Sequence, residues 1–225
     1  MDRVALFDVD GTLVDSNPLH VVAWWEALRQ EGHRVPTHAV HRAIGLPGKD
    51  LLAHLLGPDR DRSRDDLLSA AHDALYGTWF ERLLAFDGAA DLLRKLAGNG
   101  WKVVLVTSAK DRELAALRGA LDADDAITAT ATSDDVDEGK PAPDPIEHAL
   151  SLVEGDADGA VFVGDSVWDM KAAHRAGVLG VGLLCGGVPR GELTEAGAAA
   201  VYDDPADLLA HLGTGPFTTG REGSG

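Results

Sequence analysis

Apolar residues fall along this chain in two rhythms. Short uninterrupted runs, too brief for a helix, occur at Val4–Phe7, Val103–Val106, Ala160–Val163 and Gly180–Leu184, with weaker ones at Ala126–Thr130 and Ala198–Tyr202. Runs without alternation suit a parallel strand covered on both faces, because neither side of it meets water. Between them, apolar positions recur at helical spacing over Gly88–Ala97, Arg112–Leu121, Pro145–Leu152, Asp169–Ala176 and Pro205–Leu212. Strand followed by helix, repeated, predicts an α/β fold with a doubly wound parallel sheet.

One region breaks the alternation. From Asn17 to Leu84 the spacing is helical and no strand stands out: Leu19, Val22, Ala23, Glu26 and Ala27 begin a helix that Gly32 ends, and His38–Ile44, Lys49–Leu56 and Asp65–Leu84 read as three more. A helical block of this length exceeds a plain crossover between strands. The expected organisation is a core over residues 1–15 and 86–212, with an inserted α-helical cap over 16–85. Residues 213–225 carry five glycines, one proline and no apolar period, and are expected to form a flexible tail.

Composition narrows the partners more than the fold. Of 225 residues, 45% are hydrophobic and 25% charged, which leaves ample material for a core. Thirty-seven acids against twenty bases give a formal charge of −17, a surface that repels phosphate backbones and anionic lipid. No nucleic-acid or membrane partner is expected, although a bound cation could reverse that potential locally for an anionic substrate. The single cysteine, Cys185, has no evident base partner and is read as a small buried hydrophobe. Neither a secretory leader nor a bilayer-length apolar run is evident, so a cytoplasmic protein is expected.

Chemistry gathers where strands end. The first run stops at Asp8-Val9-Asp10-Gly11-Thr12, which reads either as an acidic turn or as a pair of working carboxylates. In an open parallel sheet, ligands bind beyond the carboxyl ends of the strands. The second run leads into Thr107-Ser108, a hydroxyl and exposed amides suited to an anion. Lys140 precedes three prolines, at 141, 143 and 145, and the run Ala160–Val163 ends in Gly164-Asp165-Ser166-Val167-Trp168-Asp169. Asp165 and Asp169 could face one cavity, or Ser166 could simply cap a helix with an acidic first turn. Each has an ordinary structural explanation alone; four such sets, in this order, at one sheet edge point to a site.

The set resembles the four ordered motifs of the haloacid dehalogenase-like hydrolase superfamily: Asp8 and Asp10, Thr107, Lys140, then Asp165 and Asp169. The resemblance implies a Rossmann-like core and a Mg²⁺-dependent phosphohydrolase of small phosphorylated metabolites. Asp8 would be the nucleophile, forming an aspartyl-phosphate, and Asp10 the general acid and base. Mg²⁺ would be held by Asp8, the backbone carbonyl of Asp10 and Asp165, with Asp169 completing the acidic set through water or Lys140. Thr107, Ser108 and Lys140 would hold the phosphoryl group. An acid at position 10 favours phosphoryl chemistry over dehalogenation, since a halide leaves without a proton.

The helical block resembles the small cap of phosphoglycolate phosphatase and β-phosphoglucomutase relatives, which are often monomers. His20 matches a histidine that positions the acid/base aspartate in the mutase branch, or is a packing residue. Trp24 and Trp25 point to different sides of their helix and read mainly as packing. Gly45-Leu46-Pro47-Gly48-Lys49 is a loop from which such caps reach the site, so Arg42 or Lys49 could touch substrate or could simply be solvated. No arginine aligns cleanly in this loop as in the mutase branch, which leaves a phosphomutase as the alternative to a phosphatase; a non-catalytic binder of phosphorylated ligands is a third. His33, His38, His41, His54 and His72 lack the spacing of a zinc site.

Overall fold

In the computed structural model, which describes residues 2–218, each apolar run becomes a parallel strand. The chain forms β1 (Val4–Phe7), then α1 (Asn17–Gln30), α2 (Thr37–Ala43), α3 (Gly48–Leu56) and α4 (Asp65–Tyr76). There follow α5 (Ala89–Gly98), β2 (Lys102–Val106), α6 (Asp111–Leu121), β3 (Ala129–Ala131), α7 (Asp144–Ser151) and β4 (Ala160–Gly164). The chain continues with α8 (Val167–Arg175), β5 (Leu179–Leu183), α9 (Arg190–Glu195), β6 (Ala200–Tyr202) and α10 (Pro205–Ala210).

The strands lie in the order β3-β2-β1-β4-β5-β6, and every neighbouring pair is parallel. Winding starts at β1, moves outward through β2 and β3, and returns to the other side of β1 at β4. The carboxyl end of β1 therefore lies at the topological switch point, where crossovers to either side leave a crevice. Register aligns Phe7 with Leu105 of β2 and Val163 of β4, so the residues that follow these strands emerge at one edge.

Helices cover both faces. Phe7, Leu92, Leu93, Leu96, Val103, Leu105 and Val163 belong to the apolar layer on one side, while Leu6, Val104, Ile146, Phe162 and Ala172 belong to the layer on the other. Alternate residues of each strand thus point to opposite layers, which is why the runs had to be apolar throughout. The helices of the inserted block bury a separate cluster of their own, including Trp24, Leu28, Val40, Leu51, Leu52 and Leu68.

Several boundaries differ from the sequence expectation. The long fourth helix of the block stops at Tyr76 and tightens into a 3₁₀ segment over Gly77–Arg82. The third strand begins later than expected, at Ala129, because Asp124–Ala126 form a 3₁₀ turn. Helix α9 was not expected, since its six residues offer too few positions to establish a period. The tail expected to be loose from Gly213 instead returns to the core: Phe217 is buried edge-on against Trp101, with ring centroids 5.0 Å apart. One aromatic anchor outweighs the glycine-rich composition around it. The expectation for the tail's last residues, 219–225, lies outside the described residues.

Candidate active site

The Asp8 amide extends the ladder beyond β1 by donating to the Val163 carbonyl at 2.9 Å. A tight turn follows, in which Leu13 and Val14 both donate to the Val9 carbonyl, at 2.9 and 3.0 Å. Gly11 takes φ +76°, and a Cβ there would lie 2.1 Å from Asn17 Nδ2 and 2.6 Å from Asp165 Oδ2. Both the backbone conformation and the crowding require glycine.

Lys140 reaches into this edge from the loop before α7. Its ammonium donates to Asp8 Oδ1 at 2.5 Å and to Asp169 Oδ1 at 2.7 Å, with all three side chains almost wholly buried. The Thr12 hydroxyl lies 3.0 Å from Asp8 Oδ2 and 3.0 Å from Asp165 Oδ1. Asn17 Nδ2 donates to Asp165 Oδ2 at 2.8 Å. One oxygen from each of Asp8, Asp165 and Asp169 falls within 4.8 Å of the others.

Three buried carboxylates share one ammonium. Burial raises Asp8 to about 7 although Lys140 pulls the other way, and Asp169 adds to the rise. Burial and then the charges of Asp8 and Asp169 push Asp165 well above the usual carboxylate range. Burial opposes the charge on Lys140, but Asp169 and Asp8 keep it protonated beyond the ordinary lysine range. Fully ionised, the group carries two negative charges that no described side chain offsets. A nest of oxygens with excess negative charge is the donor set of a hard divalent cation, so these residues fit one.

Asp10 is turned elsewhere. Its Oδ1 accepts from the Ser16 hydroxyl at 2.6 Å and faces His20 Nε2 at 3.2 Å. Burial raises its pKa, but the contacts with His20 prevail and hold it below the ordinary value. Its carboxylate is not part of the three-acid group; the position expected of it as a ligand concerned the backbone carbonyl. Thr107 is buried at the end of β2 with its hydroxyl oxygen accepting from the Ala109 amide at 3.0 Å, which leaves its own O–H to donate. The neighbouring Ser108 is exposed.

The cap-side candidates divide. His20 stands against Asp10, whereas Arg42 is spent on an ion pair with Glu192 of α9 and Lys49 is exposed. Arg42 is drawn to Glu192 because the loop beside it already touches the core: a Cβ on Gly45 would sit 2.8 Å from Ser166 Oγ. His41 Nε2 lies 2.9 Å from the Gly186 carbonyl, and Trp168 Nε1 donates to the Arg42 carbonyl at 3.2 Å. The crevice left between helical block and sheet edge, lined by Asn17, His41, Asp165 and Ser166 among others, encloses about 10 Å³. That is on the order of one water. Trp24 is buried against His72, and Trp25 stacks under Arg29, so both tryptophans pack. Cys185 is partly buried with its sulfur 3.2 Å from the Gly11 carbonyl, and burial raises its thiol pKa.

Sequence reasoning missed Thr12, Ser16, Asn17, Glu113 and the part played by His72. Thr12 and Ser16 flank the acidic turn, so proximity was their available signal. Glu113 approaches His20 Nε2 at 3.6 Å from α6, and nothing in its own segment marks it.

Acids, a hydroxyl and an ammonium converging on the switch point of a doubly wound sheet define a hydrolase of the phosphoryl-transfer kind. The chain belongs to the haloacid dehalogenase-like hydrolase family, whose model matches residues 3–177. It is 33% identical over 188 residues to a validoxylamine A 7'-phosphate phosphatase of Streptomyces hygroscopicus subsp. limoneus, covering 81% of this chain and 86% of that protein. A phosphoglycolate phosphatase of Rhodospirillum rubrum is 31% identical over 222 residues, covering 95% of this chain and 92% of its own. Among solved structures, a hydrolase from Pseudomonas syringae superposes with a TM-score of 0.89 at 37% identity, covering 94% of this chain and 98% of its own.

Proposed function

We propose that this protein is a Mg²⁺-dependent phosphatase of small phosphorylated metabolites that works through a phosphorylated Asp8. The observation that carries the reading is the division of labour between two aspartates: Asp8 is gripped by Lys140 at 2.5 Å, while Asp10 is held apart by Ser16 and His20. A pure binder needs neither arrangement. The relatives named as phosphatases support the substrate class.

In this reading Asp8 attacks phosphorus, and the bond to the leaving alcohol breaks as Asp10 hands that oxygen a proton. Asp10 then takes a proton from the water that attacks the aspartyl-phosphate, which releases phosphate and restores Asp8. Lys140, the Thr107 hydroxyl and the Ser108 amide hold the phosphoryl oxygens. Asp169 keeps Lys140 in place. Asp8, Asp165 and the backbone carbonyl of Asp10 would hold Mg²⁺, which when bound offsets the repulsion between an anionic nucleophile and an anionic ester. The helical block acts as a cap that shuts water out during alcohol departure and opens to admit substrate. Arg42 and Lys49 are not needed for the chemistry.

The test is phosphate release from a panel of phosphorylated metabolites, in Mg²⁺ and in EDTA. Release with Mg²⁺ and its loss by at least about a thousandfold in Asp8→Asn are expected. Metal-independent release, or release unaffected by the substitution, would overturn the proposal. Isomerisation of a sugar phosphate without release would replace it with a phosphomutase.

A further inference from the structure

Behind Asp10 runs a line of hydrogen bonds of which the chemistry above uses only the first. Asp10 Oδ1 faces His20 Nε2 at 3.2 Å, His20 Nδ1 meets His72 Nε2 at 3.0 Å, and His72 Nδ1 meets Asp73 Oδ1 at 2.8 Å. The two imidazole planes lie 11° apart with centroids at 5.3 Å. At that separation a 3.0 Å nitrogen–nitrogen contact is an edge-to-edge hydrogen bond in the ring plane. Trp24 stacks on His72 with centroids at 4.3 Å, and Tyr76 on His20 at 3.8 Å, so neither ring is free to turn.

The order of donors follows from the far end. The Asp73 side chain is 73% exposed, and a carboxylate in water accepts rather than donates, which puts the hydrogen of His72 on Nδ1. His72 Nε2 is then left as the acceptor, so His20 must donate from Nδ1. Burial, the largest influence on His72, keeps it neutral and supports that assignment. His20 therefore presents Nε2 to Asp10 in a fixed plane, with one proton in the Asp10–His20 contact.

We propose that His72, oriented by Asp73, is a positioning residue for the leaving-group step: through His20 it fixes the line along which the proton shared by His20 and Asp10 is held. The inference rests on the reading of Asp10 as the acid. His72 touches His20, Trp24, Tyr76 and Asp73, and no contact joins it to Asp8, Asp165 or Lys140 among the described residues. The other charged group facing His20 is Glu113, at 3.6 Å from Nε2.

The experiment compares two kinds of monoester in single turnover, following release of the alcohol. An alkyl phosphate needs a proton on its leaving oxygen, whereas p-nitrophenolate departs without one. His72→Phe keeps an aromatic ring against Trp24 but removes the acceptor. It should slow release from the alkyl phosphate turned over fastest by wild type by about tenfold, a fraction of what a general acid contributes. Release from p-nitrophenyl phosphate should stay within about twofold, with the KM for both substrates unchanged. His72→Gln, whose amide oxygen can accept from His20, should restore most of the loss. Asp73→Ala, at an exposed position, should show the same leaving-group pattern at smaller size. Equal losses on both esters, or no loss in either His72→Phe or Asp73→Ala, would overturn the proposal. Asp10→Asn serves as the reference. If that variant lacks the leaving-group pattern, the reading of Asp10 has failed rather than the role of His72.

Discussion

Asp165→Asn should make the metal-free protein more stable while destroying its response to metal. The oxygens of Asp8, Asp165 and Asp169 lie within 4.8 Å of one another, and a pair of unit charges at that distance repels by about 3.5 kcal/mol at an effective dielectric near 20. Asp165 feels two such charges and one ammonium, which leaves a net repulsion of about 3 kcal/mol, part of it relieved by proton uptake. Asparagine keeps the hydrogen bonds: its oxygen can accept from Asn17, and its amide can donate to a Thr12 hydroxyl that turns fully to Asp8. The expected gain is about 1–3 kcal/mol, a rise of about 2–12 °C in the melting temperature of a chain this size.

Thermal melts in EDTA at neutral pH measure this directly, and a variant that melts below wild type would refute the charge argument. Acid should close the gap. Folded carboxylates with raised pKa values hold protons that the unfolded chain releases, so the metal-free wild type loses stability as pH rises from 3.8 towards about 7, the value for Asp8. The advantage of the variant is therefore greatest at pH 7 and above and fades towards pH 4. Added Mg²⁺ should reverse the order. At a hundred times its dissociation constant a cation stabilises wild type by about 2.7 kcal/mol, and the variant should gain little.

Lys140→Met should act in the opposite direction. It removes the one ammonium among three buried acids and should cost about 3–5 kcal/mol in urea unfolding, with loss of turnover. Gly186→Ala should raise the Mg²⁺ concentration needed for half-maximal phosphate release. A Cβ there would fall 1.7 Å from Asp165 Oδ2, so that carboxylate must move, and an unchanged metal titration would count against Asp165 as a ligand.

Part of the site was legible because three of its chemical residues stand at the end of an apolar run or one residue beyond it. Asp8 follows Phe7, Thr107 follows Val106, and Asp165 comes one glycine after Val163, so reading the strands already locates the edge. Lys140 was legible only by resemblance, since an ammonium ahead of three prolines has no pattern that aims it at Asp8. Of the relay behind Asp10, the His20 contact was legible by resemblance, and its continuation to His72 could not be read at all. His20 and His72 are separated by 52 residues and meet because α1 packs on α4, a contact set by tertiary structure and not by periodicity. A histidine scattered through a helical block looks the same whether its ring nitrogen meets solvent or another imidazole.

Asp169 shows why the ordinary and the chemical readings of a motif need not compete. Its Oδ2 accepts from the Ser166 amide at 3.0 Å and hydroxyl at 2.6 Å, while the Ser166 hydroxyl accepts from the Asp169 amide, a capping box that starts α8. Its Oδ1 is left free to accept from Lys140 at 2.7 Å. The cap locks the carboxylate in one rotamer, and that rotamer directs the other oxygen at the lysine. Without the capping bonds Asp169 could turn away from its two acidic neighbours, and Lys140 would lose the partner that holds it against Asp8. The helix start is thus the device that orients the ammonium, and the sequence pattern read as a cap and the one read as a site are the same residues using different oxygens.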